Sequence, residues 1–372
     1  MFKNRDICFN NCILRDNKIW YVSINGYLMN LDLESRQVSY VEPERLEGWK
    51  KHPVVDDMFA FYNSIYWVDQ YGKGLHEYNI KLQKYYQYEL PKMDMFEWGC
   101  FAGIYRYKRK LFLFPKSTSY HLEFDLLERQ LIRCPQACQN TGVKINSVRK
   151  DNWIYLFERK KNKAVKFNLE SSEYAYVDVP GEIAEAIHIV ECQNIFYILS
   201  QNGTVYIWNE EEGDIKEIYT GHHDEQEFGR IAVTKSKLFL LPGLGKRILI
   251  VNLQTHVISE QEQYPHDFDM EYCDLNWGTY LGIFKDSDYI WFANRKTNYM
   301  LRINRITENI EWIKIIPPSI EPVWWDLYEK MRKIDLDEKT YGLELLFEIK
   351  QNQKAWNRED SRVGRSIWEG VK

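Results

Sequence analysis

Two short sequence signatures recur seven times along the chain and keep the same spacing. The first is an apolar, aromatic-rich segment whose central residues are Trp20, Tyr66, Phe112, Tyr155, Phe196, Phe239 and Trp291. The second is an apolar residue followed by an acid or an amide, at Asp32, Asn79, Asp125, Asn168, Asn209, Asn252 and Asn304. The offset between the two is 12 residues in the first copy and 13 in the other six. Two markers in phase over seven copies predict one repeated structural unit.

Each copy contains four strand-like segments. An apolar strand such as MFAFY or RIAVT precedes the aromatic strand, and the third strand ends at the Asp or Asn. That side chain can hydrogen-bond to the backbone two residues further on and start a turn. A fourth segment with alternating polarity, such as KYYQYEL, closes the copy. Repeats of about 40–50 residues with four strands each are typical of β-propellers.

The sequence therefore predicts an all-β fold, a seven-bladed β-propeller of four-stranded blades over residues 1–318. The predicted blades span approximately 8–43, 57–91, 100–136, 144–180, 186–221, 229–265 and 279–318. Two segments fit the strand that closes the ring. Residues 6–9 could form the outer strand of the last blade, or residues 313–316 could complete it, and we favour the first.

One copy carries a more specific signature. In TVYIWNEEEGDIKEIYTGHHDE (204–225), Trp208-Asn209 stands where WD repeats have Trp-Asp, and Gly221-His222 supplies a Gly-His pair. The seven stacked copies, about five-sixths of the chain, resemble kelch-type and WD-repeat propellers. The other six copies lack the Gly-His pair, and no copy has the double glycine of kelch repeats. The resemblance implies the propeller architecture.

Composition excludes several classes of function. Fifty-four acidic and 49 basic residues give a net charge of −5, which argues against a nucleic-acid-binding protein. No apolar run reaches the ~18 residues that a membrane span needs, and the N-terminus lacks the apolar segment of a secretion signal. The seven cysteines are odd in number and scattered, so we expect reduced thiols and a cytoplasmic location.

The residues after Pro317-Pro318 follow a different pattern. Segments such as VWWDLYEKMRKI have apolar residues at helical spacing, so residues 319–372 are predicted to form a helical extension. Its last segment has a stripe suited to docking on a partner: Val363, Ile367, Trp368 and Val371. The alternative is that these helices cap the propeller itself.

Propellers bind ligands on the face built by the loops that enter each first strand and the loops that join second to third strands. We call it the loop face. Its second-to-third loops are basic, with Lys73, Lys116, Lys246, Arg247, Arg295 and Lys296 among their residues. Convergence of these side chains would attract an anion or an acidic peptide, whereas lysines in turns are also commonly just solvated.

The entry loops carry aromatic, imidazole and carboxylate groups. Trp49, Trp98 and Trp277 offer flat surfaces for a ligand, with His52 and Asp267 as polar neighbours. The loops entering the last two blades hold a candidate metal set of His222, His223, His266 and Asp267. Its spacing matches no metal motif. The Cys134-x-x-x-Cys138 pair likewise has the wrong spacing for a zinc knuckle.

No catalytic motif is present: there is no G-x-S-x-G elbow, no H-E-x-x-H and no phosphate-binding loop. The sequence therefore favours a non-catalytic binding or scaffold propeller for a protein or peptide, with no cofactor. Two alternatives stay open. One is a metal-assisted lyase or hydrolase for a polar or sugar-like substrate at the entry loops of blades six and seven. The other is a sensor of a small anionic ligand.

Overall fold

The computed structural model of the chain describes residues 7–24, 26–41, 55–69, 74–92, 99–117, 120–134, 144–158, 163–179, 186–221, 227–273 and 278–317. They form seven four-stranded antiparallel sheets, each made from four strands that are consecutive in sequence. The prediction of an all-β, seven-bladed propeller is confirmed. In the described part of the chain, no helix has the length and apolarity needed to cross a membrane.

The blades follow one another along the chain. Blades 1 and 2 contain β1 (Phe9–Arg15), β2 (Lys18–Ser23), β3 (Leu28–Asp32), β4 (Val38–Tyr40), β5 (Val55–Phe61), β6 (Ser64–Asp69), β7 (Gly74–Asn79) and β8 (Lys84–Glu89). Blades 3 and 4 contain β9 (Phe101–Tyr107), β10 (Lys110–Pro115), β11 (His121–Asp125), β12 (Gln130–Cys134), β13 (Lys144–Lys150), β14 (Trp153–Glu158), β15 (Lys163–Asn168) and β16 (Tyr174–Asp178). Blades 5 and 6 contain β17 (Ala186–Cys192), β18 (Ile195–Ser200), β19 (Val205–Asn209), β20 (Asp214–Ile218), β21 (Phe228–Val233), β22 (Lys237–Pro242), β23 (Leu249–Asn252) and β24 (Ile258–Glu260). Blade 7 contains β25 (Tyr280–Lys285), β26 (Tyr289–Asn294), β27 (Tyr299–Asn304) and β28 (Ile310–Lys314).

The two sequence signatures have separate structural roles. Every second strand carries the aromatic signature, and these strands are buried almost throughout because neighbouring sheets cover both faces. Every third strand ends at the Asp or Asn, whose Oδ1 accepts backbone N–H groups of the following turn. In blade 3, for example, Asp125 Oδ1 accepts from Leu127 N at 3.0 Å and from Glu128 N at 3.1 Å. The aromatic residues thus supply the core, and the acid or amide sets the turn.

The first strands of the blades contact one another in a closed ring: β1, β5, β9, β13, β17, β21, β25 and again β1. The favoured closing strand was wrong. Phe9 begins the innermost strand of blade 1, and the outer strand of blade 7 is β28. Blade 7 completes its own sheet because β28 follows β27 through an ordinary tight turn. The chain then continues to Ile316, which exchanges backbone hydrogen bonds of 2.9 Å with Arg36 and Val38 of blade 1.

A disulfide between Cys8 and Cys273 also joins the first and last blades. The expectation that all seven cysteines are free thiols was therefore wrong for this pair. The two residues are 265 positions apart in sequence, and only ring closure brings them together. Four other described cysteines form no disulfide: Cys12, Cys100, Cys134 and Cys192.

By proximity of Cα atoms the chain divides into a unit of Lys3–Pro318 and a unit of Ser319–Lys372. The second unit and the helices predicted for it lie outside the described residues.

Candidate binding site at the channel mouth

Each of the seven inner strands is interrupted by a β-bulge close to its first residue. The register with the second strand shifts between Phe9 and Cys12, Val55 and Asp57, Phe101 and Gly103, Lys144 and Asn146, Ala186 and His188, Phe228 and Arg230, and Tyr280 and Ile283. This is the end of the strand that the entry loop joins, so all seven bulges lie at the loop face. Bulges redirect side chains and occur often beside functional sites. We call this region the channel mouth.

On one side of the channel mouth lies the carboxyl group of Asp57. Burial raises the pKa of Asp57 to about 7, although its Oδ1 accepts a hydrogen bond of 2.8 Å from Met58 N. The carboxyl is close enough to Cys12 of blade 1 and Tyr105 of blade 3 to act on both electrostatically. Tyr105 OH lies 2.7 Å from Ser147 Oγ, which donates to the Ala102 carbonyl at 2.7 Å. The Tyr105 hydroxyl is therefore the donor in its bond with Ser147.

Positively charged side chains lie on blades 6 and 7, close to a histidine of blade 5. We call His188, Arg230 and Arg295 the mouth cluster. Arg295 is buried, with 4% of its surface exposed, and Arg230 is half-buried. Burial lowers the pKa of both guanidinium groups to about 10, and the nearby Arg230 adds to the shift at Arg295. Two like charges thus share one poorly solvated place at the loop face.

His188 is the neutral member of the mouth cluster. Burial, and then the charges of Arg230 and Lys285, lower its pKa well below the usual value. Its Nδ1 accepts a hydrogen bond of 3.2 Å from Ile231 N. A neutral imidazole that accepts at Nδ1 carries its proton on Nε2, so His188 offers an N–H donor near the Arg230 guanidinium group. Together these groups suit a carboxylate or another anion.

The structure separates the predicted basic loop residues into different surroundings. Arg295 belongs to the mouth cluster. Arg247 is neutralised by Glu227 and Glu260, at 3.1 and 2.9 Å. Lys246 is exposed, with its Nζ 5.8 Å from the centre of the Tyr264 ring.

Lys116 and Lys296 are placed differently from the other basic residues of these loops. Lys116 is buried, with 7% of its surface exposed, and its backbone N–H donates to the Cys100 carbonyl. Lys296 is half-buried, and its carbonyl accepts from Cys273 N. The predicted convergence of basic side chains therefore involves Arg295 and a residue that the sequence analysis did not select, Arg230.

His266 and Asp267 lie over the outer strands of blade 7 rather than at the channel mouth. Lys314 and Tyr299 both hydrogen-bond to the Asp267 carboxylate. These two bonds, with that of Lys314 the stronger, lower the pKa of Asp267 to about 2. Asp267 thus fastens its segment to blade 7, and His266 beside it is exposed.

The remaining predicted site residues lie outside the described residues. They are Trp49, His52, Lys73, Trp98, His222, His223 and Trp277 of the loops and Val363, Ile367, Trp368 and Val371 of the tail. These stay predictions.

Asp57 and Arg230 were not predicted as site residues, because both lie in inner strands and not in the loops. A signal was available: each residue stands nine positions before the repeat aromatic of its blade, Tyr66 and Phe239 respectively. The same position in the other five copies holds an uncharged residue, so Asp57 and Arg230 are its two charged residues: Asn11, Gly103, Asn146, Ile187 and Gly282 occupy it elsewhere.

A second buried polar cluster lies between blades 3 and 4, on strands β11 and β12. His121 Nε2 is 3.2 Å from Glu123 Oε1, and Lys110 Nζ is 2.7 Å from Glu123 Oε2. Hydrogen bonding by His121, and to a lesser degree by Lys110, lowers the pKa of Glu123 to about 2. Cys134 borders the same carboxylate, and burial and Glu123 raise the pKa of its thiol to about 11. We call His121, Glu123 and Cys134 the blade 3–4 cluster.

No family model matches the sequence. No curated protein sequence matches it either. Solved structures do match the fold. A catalytically inactive virginiamycin B lyase from Staphylococcus aureus with quinupristin is 13% identical, with a TM-score of 0.59 over 80% of this chain and 95% of that one.

Two further structures illustrate the range of proteins with this fold. PorZ, a surface component of the type-IX secretion system of Porphyromonas gingivalis, is 10% identical with a TM-score of 0.53, over 84% of this chain and 38% of that one. BamB from Moraxella catarrhalis is 10% identical with a TM-score of 0.50, over 76% and 80%. At these identities the likeness establishes the fold alone.

Proposed function

We propose that the chain is a non-catalytic binding propeller that recognises a protein or peptide through its loop face. The observation that carries the proposal is the pair Arg230 and Arg295, whose charges lie together at the channel mouth. An acidic side chain or C-terminal carboxylate of the partner would accept hydrogen bonds from these guanidinium groups and from His188 Nε2. Such a contact relieves the repulsion between the two arginines.

The channel mouth receives a contribution from every blade, because each inner strand has its bulge there. The entry loops differ from one another in sequence, as loops that carry binding residues commonly do. The fold neighbours include both an enzyme and proteins such as BamB and a secretion-system component. A protein partner is compatible with that range, and the predicted tail helix with Ile367 and Trp368 is proposed as a second contact.

Two finer parts of the sequence prediction belong to this proposal. The WD-repeat likeness of blade 5 stays a prediction. A cytoplasmic location also stays a prediction: free thiols at Cys8 and Cys273 in the protein isolated from its native cell would support it, and a disulfide between them would argue against it.

Affinity capture from the native cell tests the proposal with four baits. They are the full chain, Arg230→Gln, Arg133→Gln and a chain truncated after Gln353. Arg133 is an exposed arginine on the outer strand β12, so it controls for loss of one positive charge away from the mouth. Capture is followed by quantitative mass spectrometry.

We expect a stoichiometric partner on the full chain and on Arg133→Gln that is lost on Arg230→Gln. Loss of the partner on truncation would add the tail as a contact. A partner held equally by all four baits would contradict recognition at the channel mouth. If no bait holds a protein, a small anionic ligand replaces the peptide in the proposal, and a thermal-shift screen of nucleotides and sugar phosphates tests it.

A second candidate function is an enzyme, a lyase or hydrolase acting on a polar or sugar-like substrate. The observation in its favour is Asp57, a channel-side carboxyl whose pKa of about 7 suits a general acid or base. The metal-assisted version predicted at His222, His266 and Asp267 has less support, because Asp267 is bound by Lys314 and Tyr299.

Two measurements test the enzyme candidate. The full chain and Asp57→Asn are each incubated with quinupristin, and its turnover is followed by mass spectrometry. Turnover by the full chain but not by Asp57→Asn would support the enzyme candidate. Metal content is measured before and after His266→Ala. Metal that is unaffected by this substitution would rule out the predicted metal site.

A further inference from the structure

The blade 3–4 cluster brings together three different donor atoms from two paired strands. His121 and Glu123 are two residues apart on β11, so their side chains share one face of the sheet. Cys134, the last residue of β12, is the direct cross-strand partner of His121. Imidazole nitrogen, carboxylate oxygen and thiol sulfur therefore converge by strand register alone.

The three groups are close enough to share one ion. Ligand atoms of His121, Glu123 and Cys134 all lie within 4.8 Å of one another. Tetrahedral zinc lies about 2.0–2.2 Å from nitrogen and oxygen ligands and about 2.3 Å from sulfur. The three ligand atoms would therefore move closer together when they bind one zinc ion. Within the described residues, this is the group of three potential ligands that meets such a distance.

Outer groups already hold two of the donors in a suitable orientation. His121 Nδ1 lies 2.7 Å from Tyr174 OH of blade 4, which leaves Nε2 directed at Glu123. Glu123 Oε2 is held by Lys110, which leaves Oε1 on the side of His121. Metal-binding histidines are commonly fixed in this way through their second nitrogen.

Two of the three donor residues are shielded from solvent. His121 is 2% exposed and Glu123 is 7% exposed, and Cys134 is half-buried. The His121 ring lies among Phe112, Phe114 and Phe167, with its centre 4.7 Å from that of Phe167. An apolar wall of this kind excludes water and strengthens bonds between the ion and its ligands.

We propose that His121 Nε2, Glu123 Oε1 and Cys134 Sγ bind one zinc ion between blades 3 and 4. A mixed nitrogen, oxygen and sulfur set suits zinc better than calcium or magnesium, which take oxygen ligands. On binding, the Cys134 thiol releases its proton to solvent. The neutral imidazole keeps one proton, now on Nδ1, where it donates to the oxygen of Tyr174. The ion would join β11 to β12 in blade 3, and the Tyr174 hydrogen bond would connect it to blade 4.

The test uses the full chain after dialysis against a chelator. Titration with cobalt(II), a spectroscopic substitute for zinc, is followed by absorption, and zinc is then added to displace it. We expect saturation at one equivalent, a thiolate-to-cobalt charge-transfer band and loss of that band on addition of zinc.

Three variants test the assignment of the ligands. Cys134→Ser should lose the charge-transfer band and bind zinc at least tenfold more weakly. Cys192→Ser, another half-buried free cysteine, should leave both unchanged. Tyr174→Phe should weaken zinc binding by about tenfold, because it removes the partner of Nδ1. Absence of a band in the unmodified chain, or an identical band in Cys134→Ser, would overturn the proposal.

X-ray absorption of the zinc-loaded unmodified chain gives the same answer if Cys134→Ser fails to fold. One sulfur with nitrogen and oxygen ligands is expected, and a shell without sulfur would overturn the assignment. None of these readouts depends on the proposed partner, so the zinc site and the binding function succeed or fail separately.

Discussion

The propeller buries ionisable side chains in two contrasting ways. In the blade 3–4 cluster, the carboxylate of Glu123 meets the imidazole of His121 and the ammonium of Lys110. In the mouth cluster, the guanidinium groups of Arg230 and Arg295 lie close enough to disfavour each other's charge. The first arrangement places opposite charges side by side between blades 3 and 4. The second places like charges close together at the channel mouth.

This difference separates a structural role from a binding role. A paired cluster is stabilised by its own members, so it holds donor atoms in a fixed geometry, which is what a structural metal requires. Like charges in a half-buried position oppose folding and gain from an incoming anion. The same contrast explains why the zinc site is proposed between blades and the partner site at the channel mouth.

The largest effect is expected for the disulfide that fixes the blade 7 side of the channel mouth. Replacing both Cys8 and Cys273 by Ser should lower the free energy of unfolding by roughly 5 kcal/mol, because the bond closes a loop of several hundred residues. Urea denaturation measures the loss, and Cys192→Ser, which breaks no bond, is the control.

Peptide mapping without reductant checks the bond directly and should recover a linked Cys8–Cys273 peptide. Free thiols at both positions, with unchanged stability of the double variant, would contradict ring closure by this disulfide.

Asp57 should make stability depend on pH. Its pKa is about 7 in the folded protein against 3.8 for an ordinary aspartate, so its contribution to stability is present below about pH 4 and is lost as the pH rises to 7. Asp57→Asn removes this loss and keeps the acceptor for Met58 N. The variant should match the unmodified chain near pH 4 and exceed its stability by up to about 4 kcal/mol near pH 8.

Denaturation curves at several pH values measure the difference between the two proteins. A constant offset across this range would show that Asp57 ionises normally and would remove the basis of the enzyme candidate.

Removing one charge from each cluster tests the comparison itself. Glu123→Gln leaves Lys110 without its carboxylate and should destabilise the fold by about 2 kcal/mol. Arg230→Gln removes one of two like charges and should cost less than Glu123→Gln, since relief of repulsion offsets part of what its hydrogen bonds contribute. Thermal and urea unfolding of both variants measure the costs, and a larger loss for Arg230→Gln would reverse the assignment of roles.

The smallest effect is expected at Arg247, also on the loop face but paired with Glu227 and Glu260. Arg247→Gln should change stability by less than about 1 kcal/mol, and by less still at high salt, because such ion pairs are solvated and screened. It should leave partner binding intact. Loss of the partner on Arg247→Gln would extend the recognition surface beyond the mouth cluster.

The fold was predictable because the sequence repeat contains both of the residue patterns that a propeller blade needs, one for packing and one for turns. The aromatic positions follow from sheets packed on both faces, and the Asp or Asn positions follow from turns. Asp125 accepts from Leu127 and Glu128, as predicted for this turn position. Ring closure was not predictable, because residues 6–9 and 313–316 both read as strands and only tertiary packing chooses between them.

The candidate sites were harder to predict because they depend on register. The spacing between Cys134 and Cys138 matches no zinc knuckle, so it predicts no metal site. The proposed partners of Cys134 lie on the adjacent strand of the hairpin and are not close to it in sequence. The turn at Asp125 in fact fixes the register: Asp125 pairs with Gln130, so His121 must pair with Cys134. Arg230 and Arg295 lie close together only because blades 6 and 7 pack against each other. No local sequence pattern predicts that packing.

The most direct test of the binding proposal is the equilibrium affinity of the captured partner for the unmodified chain, Arg230→Gln and Arg133→Gln, titrated at low and high salt. The account predicts at least tenfold weaker binding for Arg230→Gln, a loss of about 1.4 kcal/mol or more, with a shallower dependence on salt and no change for Arg133→Gln. Equal affinities of the unmodified chain and Arg230→Gln would contradict it.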